Sequence, residues 1–237
     1  MKDIDLIKKY VDPKKQKKAL ELYEKNYPLQ YIIGNVEFYG YKFIVNKNVL
    51  IPRFETEYLV EKTINYIKKL NIKNVNIADL GCGSGCIGIT LKKELDSDVT
   101  LYDISRKALK VAKKNIKLNN VGVKIIKKDI RKKLNNKYNV IISNPPYIKK
   151  DGFVEEKVVK HEPKLALFAK KNGLEFYESI LKNASDSLEK KYLIAFEIGY
   201  DQKESVINIA KKYLKNCNVI AEQDLTGKDR YIFIMSE

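Results

Sequence analysis

From residue 75 onward, short apolar runs alternate with stretches of helical periodicity, and this alternation limits the fold more than any other feature of the chain. Strands are expected over residues 75–80, 99–103, 123–126, 138–142, 192–197, 218–221 and 230–235, with helices over 86–95, 105–118, 173–184 and 204–214. Strands that alternate with helices pair in parallel, because each crossover lays a helix on one face of the sheet. The expectation is a Rossmann-like α/β fold: a mostly parallel sheet covered on both faces, with an antiparallel strand at its C-terminal end. Ahead of it, residues 4–27 read as two short helices broken at Asp12-Pro13. Residues 28–45 read as a β-hairpin punctuated by Gly34 and Gly40, and residues 55–67 as a helix after Ile51-Pro52-Arg53. The expected division is a helical segment over 1–27, a hairpin connector over 28–51 and the main domain over 52–237.

A chain of 237 residues with 44% hydrophobic content is long and apolar enough to bury one core. No run reaches the roughly 18 apolar residues a membrane span needs, and the N-terminus is charged where a signal peptide would be apolar, so a cytoplasmic protein is expected. Three cysteines make no disulfide framework, and the single His161 argues against zinc, so no metal is expected. The net charge of +16 is spread through the chain in lysine pairs. Only 14–18 forms a cluster, and no aromatic residues interleave with basic ones. This reads as a solvated surface, and no stable nucleic-acid complex is expected.

In an open parallel sheet, ligands bind beyond the carboxyl ends of the strands. The turn Gly81-Cys82-Gly83-Ser84-Gly85 stands there, after the first main strand. Cys86 occupies the place of the third glycine of a dinucleotide turn, and Asp79 would repel a pyrophosphate while attracting an amino-acid ammonium, which favours S-adenosylmethionine over NAD. Asp103 ends the second strand, where a carboxylate accepts from both ribose hydroxyls. Asp129 follows the third, positioned for the adenine amine with Ile130 against the ring. The alternative for each aspartate is a helix cap.

Asn144-Pro145-Pro146-Tyr147 follows the fourth strand. Each proline restricts its own φ and the residue before it, and neither offers an N–H. The expected product is a rigid corner that presents the Asn144 side-chain oxygen and the Pro145 carbonyl as two acceptors, with Tyr147 as an aromatic wall. Such a corner fits a planar NH2 group, although a plain turn has the same composition. An amide nitrogen held this way is aimed at a sulfonium methyl, so the chemistry is mostly positioning. The sequence places no general base near Asn144, and proton loss can follow methyl transfer.

The chain resembles the peptide-chain release factor glutamine methyltransferases. The likeness runs through Gln30 to Gly34, Glu37 to Gly40, Pro52-Arg53 with Glu55-Thr56-Glu57, the Asp79 to Gly85 turn and the Asn144 to Tyr147 corner. It continues through His161-Glu162-Pro163, Glu197-Ile198-Gly199 and 224–230. It implies a class I S-adenosylmethionine-dependent methyltransferase acting on the glutamine of the Gly-Gly-Gln loop of release factors, with 81–85, Asp103 and Ile130 on the cofactor and 144–147 on the glutamine amide; a monomer is expected. Two departures stand out: Phe54 replaces a proline usual in the family, and the segment before Pro28 is far shorter than the family's N-terminal helical domain. An amino-group methyltransferase of DNA adenine or RNA would use the same corner. A catalytically silent ribosome-docking protein and an NAD-dependent oxidoreductase are the remaining alternatives. A further expectation is that the segment from Gln30 to Val45, with the residues before it, walls a cleft for the extended substrate loop.

Overall fold

The computed structural model describes residues 3–236. Two N-terminal helices, α1 (Asp3–Tyr10) and α2 (Pro13–Glu24), match the sequence expectation. Asp12 caps α2 by accepting from the Lys14 N–H, and Pro13 stands at its first position, where the missing N–H costs nothing.

Residues 28–34 do not form the first arm of a hairpin. Leu29–Ile33 is a short helix, α3, despite its strand-forming residues. Pro28 supplies an extended entry, Gly34 ends the helix in the left-handed region at φ 86°, and the buried Tyr31 donates its hydroxyl to the Val49 carbonyl at 2.6 Å. Tertiary anchoring here overrides β propensity. The hairpin is shorter than expected: β1 (Asn35–Phe38) and β2 (Tyr41–Ile44) pair antiparallel across Tyr39-Gly40. Both turn residues have positive φ, as a two-residue hairpin turn of this hand requires.

After α4 (Phe54–Lys69) the alternation runs as β3 (Val75–Leu80), α5 (Cys86–Glu94), β4 (Ser97–Asp103), α6 (Arg106–Asn119), β5 (Lys124–Lys127) and β6 (Tyr138–Ser143). A short helix α7 (Glu156–His161), which the periodicity did not signal, precedes α8 (Glu175–Ala184), β7 (Leu188–Glu197), α9 (Lys203–Tyr213), β8 (Cys217–Gln223) and β9 (Asp229–Ser236). The seven strands from β3 onward form one sheet of order β5-β4-β3-β6-β7-β9-β8. β9 runs antiparallel to both of its neighbours, β7 and β8, and the other strand pairs of this sheet are parallel.

Side chains alternate between the two faces along each strand. Leu193 and Ala195 of β7 join the cluster under α4, α5 and α6, whereas Ile194 and Phe196 join the cluster under α8 and α9. On α4 the buried residues Leu59, Val60, Thr63, Ile64 and Ile67 lie on one stripe, and each large apolar side chain buried there contributes about 1.5–3 kcal/mol.

Strand order reverses between β3 and β6. These two strands are adjacent and parallel, with Asp79 level with Ile142, so the glycine turn after β3 and the corner after β6 emerge side by side. Ser143 ties the two ends by donating its hydroxyl to the Leu80 carbonyl at 2.6 Å.

Candidate active site

A cavity of about 380 Å³ opens at this switch point. Its wall includes Gly81, Cys82, Gly83 and Ser84 of the glycine turn, Asp103 after β4, Asp129 and Ile130 after β5, and Asn144 and Pro146 of the corner. Thus most residues singled out from the sequence meet at one opening, although they come from four separate strand ends.

Asp79 and Gly85 stand behind that wall. Gly85 is the αL cap of α5 at φ 83°, a conformation that a side chain would strain, and an added Cβ would press on Ile89 and Leu101. Asp79 is 0% exposed. Its Oδ2 accepts from the Gly88 N–H at 2.9 Å, while Oδ1 is buried with no partner. Burial pushes its carboxyl up to about 7; the Gly88 N–H opposes the rise and nearby Asp103 adds to it.

An unpartnered buried carboxylate oxygen beneath a glycine turn suits the ammonium of an amino-acid moiety, so the residues present fit S-adenosylmethionine. With its folded pKa near 7 and its ordinary value at 3.8, Asp79 holds its proton more tightly in the folded protein. The stability associated with that proton is therefore present below about pH 4 and lost as pH rises to about 7, a swing on the order of 4 kcal/mol. Asp79→Asn is expected to raise the melting temperature of the cofactor-free protein at pH 8 and to weaken S-adenosylmethionine binding roughly 10- to 100-fold. Melting curves and calorimetry check both, and unchanged affinity would separate Asp79 from the cofactor.

Asp103 is arranged for a diol. Its Oδ2 accepts from the Gly83 N–H at 2.9 Å and its Oδ1 from the Ser105 N–H at 2.7 Å, so each oxygen keeps a lone pair. Burial raises its pKa, against the pull of these two N–H groups.

Asp129 lines the cavity after β5, where its strand end places it, and its carboxylate is already engaged. Its carboxylate is held by Arg131, whose Nη2 lies 2.7 Å from Oδ2 and whose Nε lies 2.9 Å from Oδ1, and whose backbone N–H also donates to Oδ1. This pairing keeps Asp129 below the usual carboxylate range. An adenine amine would have to displace part of that pair. Arg131 also bonds Glu175 at 2.8 Å and lies over the Phe176 ring, closing this side of the cavity.

At the corner, Asn144 reaches the cavity, Pro145 is buried beneath it and Tyr147 is half-buried against the core under α8 and α9. The Tyr147 carbonyl accepts from Gln202 Nε2 at 2.9 Å. Asn144 Nδ2 donates to Thr56 Oγ1 at 3.1 Å, and Thr56 Oγ1 donates to Glu197 Oε2 at 2.7 Å. Contrary to the sequence expectation, a carboxylate does stand close to Asn144. Glu197 is invisible to local reading because it arrives from the end of β7. Burial lifts it to about 7, against the pull of Thr56 and Arg230.

The hairpin does not reach the cavity. Asn115 of α6 bonds the Ile44 N–H and carbonyl and holds β2 behind the wall, which is formed instead by residues such as Val49, Pro52 and Arg53. That linker is pinned by Glu162, which accepts from the Ile51 N–H at 3.0 Å and pairs with Arg53 at 2.6 Å. Phe54, in place of the family's usual proline, starts α4 and packs edge-on against Tyr58.

The sheet order and this pocket define a class I S-adenosylmethionine-dependent methyltransferase. A family model for the methyltransferase small domain matches residues 57–165. The release factor glutamine methyltransferase of Clostridium botulinum is 41% identical over 221 residues, spanning 90% of this chain and 77% of the relative. That of Flavobacterium psychrophilum is 42% identical over 221 residues, spanning 90% and 76%. Among solved structures, the release factor-specific protein-(glutamine-N5) methyltransferase of Alicyclobacillus acidocaldarius superposes with a TM-score of 0.51 at 26% identity, covering 82% of this chain and 99% of that one. The chain belongs to the release factor glutamine methyltransferase family.

Proposed function

We propose that this protein methylates the side-chain amide nitrogen of the glutamine in the Gly-Gly-Gln loop of peptide-chain release factors. The observation that carries this reading is the wall shared by Asn144 and the glycine turn, which brings an amide receptor and a cofactor cradle to one cavity. When bound, S-adenosylmethionine supplies a methyl group on a sulfonium centre. The Asn144 oxygen and the Pro145 carbonyl accept the two N–H groups of the glutamine amide and turn its nitrogen toward that methyl. Formation of the N–C bond would leave the S–C electron pair on sulfur, so the reaction needs no further co-reactant. The methylated nitrogen would then shed one proton to solvent and return to a neutral secondary amide. Asp79 would hold the ammonium, Asp103 the ribose and Ile130 the adenine.

We assign chemistry to residues 52–237 and substrate grip to the helical segment before Pro28. The protein is taken to act as a cytoplasmic monomer with no stable nucleic-acid partner. Among the described residues, no helix is long and apolar enough to cross a membrane and no cluster of His, Cys, Asp or Glu could hold a metal ion. Incubation with S-adenosylmethionine, an intact release factor and total RNA and DNA, followed by mass spectrometry, is expected to find one added methyl on the loop glutamine. Methyl on nucleic acid and none on the factor would instead support the amino-group methyltransferase of bases.

A further inference from the structure

We propose that Thr56 and Glu197 are positioning residues that lock the Asn144 side chain with its NH2 inward and its oxygen toward the substrate, the one orientation that receives a glutamine NH2. The inference rests on the amide-receptor reading of the corner and adds what sets the polarity of that receptor.

An asparagine side chain has one donor end and one acceptor end of nearly the same shape, so packing alone does not decide which end faces a ligand. A glutamine NH2 requires two acceptors; an Asn144 turned the other way would oppose donor to donor. The choice is made by a chain of hydrogen bonds between distant segments. Thr56, at the start of α4, has a single hydroxyl proton and directs it to Glu197 Oε2 at 2.7 Å. Its oxygen can then only accept from Asn144, and Nδ2 fills that role at 3.1 Å. Thr56 is 3% exposed and Glu197 2%, so water does not substitute for either partner.

The relay keeps its polarity while Glu197 is ionised. Once protonated, Glu197 can donate to Thr56, the Thr56 proton can turn to Asn144, and the flipped amide is accommodated. The groups facing Glu197 come from four elements. Arg230 of β9 favours the carboxylate, as do the Thr56 and Asn144 donors, and Glu55 of α4 opposes it. Tyr177 of α8 donates to the Glu197 backbone carbonyl at 2.8 Å, Tyr231 of β9 donates to the Glu55 carbonyl, and Tyr147 of the corner lies in the same field. With burial dominant, the carboxyl titrates at about 7, above its ordinary 4.5. Receptor polarity is therefore present at higher pH and lost as pH falls through that value.

The test uses the full chain, S-adenosylmethionine and a release-factor loop peptide, with kcat and KM followed between about pH 5 and pH 9. Wild-type kcat is expected to fall on the acid side with a midpoint near 7, where Glu197 titrates. Thr56→Val is expected to lower kcat on the order of 10- to 100-fold with little change in cofactor KM, Thr56→Ser to restore most of it, and Glu197→Gln to remove the acid limb. In parallel, the Asn144 side-chain amide is followed by NMR against pH in the wild-type protein, and its signals are expected to shift with the same midpoint. An active wild type with unchanged Thr56→Val kcat overturns the relay. So does an Asn144 amide that ignores pH, a measurement that decides the question even if the variants do not fold. A wild type that transfers no methyl to glutamine overturns the functional reading instead.

Discussion

Asn144→Ala is expected to lower kcat for glutamine methylation on the order of 10²- to 10³-fold while S-adenosylmethionine affinity changes by less than about threefold. The split follows from geometry. Asn144 stands on the corner side of the cavity, whereas the groups we propose for the cofactor lie on the turn from Gly81 to Ser84 and at Asp103. Truncation removes one of the two acceptors that orient the substrate amide, and the remaining carbonyl holds it by a single bond about which it can rotate. A poorly nucleophilic nitrogen depends almost wholly on alignment, so the loss appears in kcat. Asn144→Asp is expected to do no better, because a second carboxylate beside buried Glu197 forces one of the pair to take a proton. Steady-state kinetics together with cofactor calorimetry would measure both effects. A variant that kept kcat within about threefold would mean that the corner is only a turn.

The second large effect is expected at Gly173, far from the corner in sequence. Gly173 adopts φ +87°, and a Cβ built there would overlap the Tyr147 carbonyl oxygen and Gln202 Nε2. Gln202 is buried, and its amide is fully engaged: Nε2 donates to the Tyr147 carbonyl at 2.9 Å and to the Asn172 carbonyl at 3.3 Å, while Oε1 accepts from the Gly199 N–H at 3.0 Å. Gly173→Ala therefore adds backbone strain of about 1 kcal/mol to the loss of buried hydrogen bonds worth about 1–3 kcal/mol each. Destabilisation on the order of 3–5 kcal/mol is expected, which for a domain of this size lowers Tm by roughly 10 °C. Because the displaced group is the carbonyl of Tyr147, activity should fall further than cofactor affinity. A Tm within about 2 °C of wild type would show that the corner tolerates displacement.

Several features of the protein were legible residue by residue. Strand β3 lies over the residues its apolar run marked, and α4 ends before Asn71, as its periodicity required. The antiparallel strand at the C-terminal end of the sheet is β9. Local reading failed where a tertiary contact outweighed a local preference. The Leu29–Ile33 segment carries strand formers, yet it coils into a helix, with Tyr31 anchored to the Val49 carbonyl and Gly34 closing the turn. That Asn115 ties β2 to α6 through both the N–H and the carbonyl of Ile44 is likewise a contact between segments no local pattern connects. Asp129 lies where the strand end placed it, but Arg131 turns its carboxylate into an ion pair that no strand-end rule contains.

By itself the sequence determined the alternation that builds a parallel sheet, the glycine-rich turn at Gly81 to Gly85, and the corner at Asn144 to Tyr147 whose two prolines offer no N–H. These depend on backbone restrictions and periodicities that act over a few residues. The tertiary structure alone decided which end of the Asn144 amide faces inward. That choice is made by Thr56, 88 positions before Asn144, together with Glu197, 141 positions after Thr56. An amide has two ends of equal size and opposite hydrogen-bonding character, so only partners brought together by the folded sheet can tell them apart.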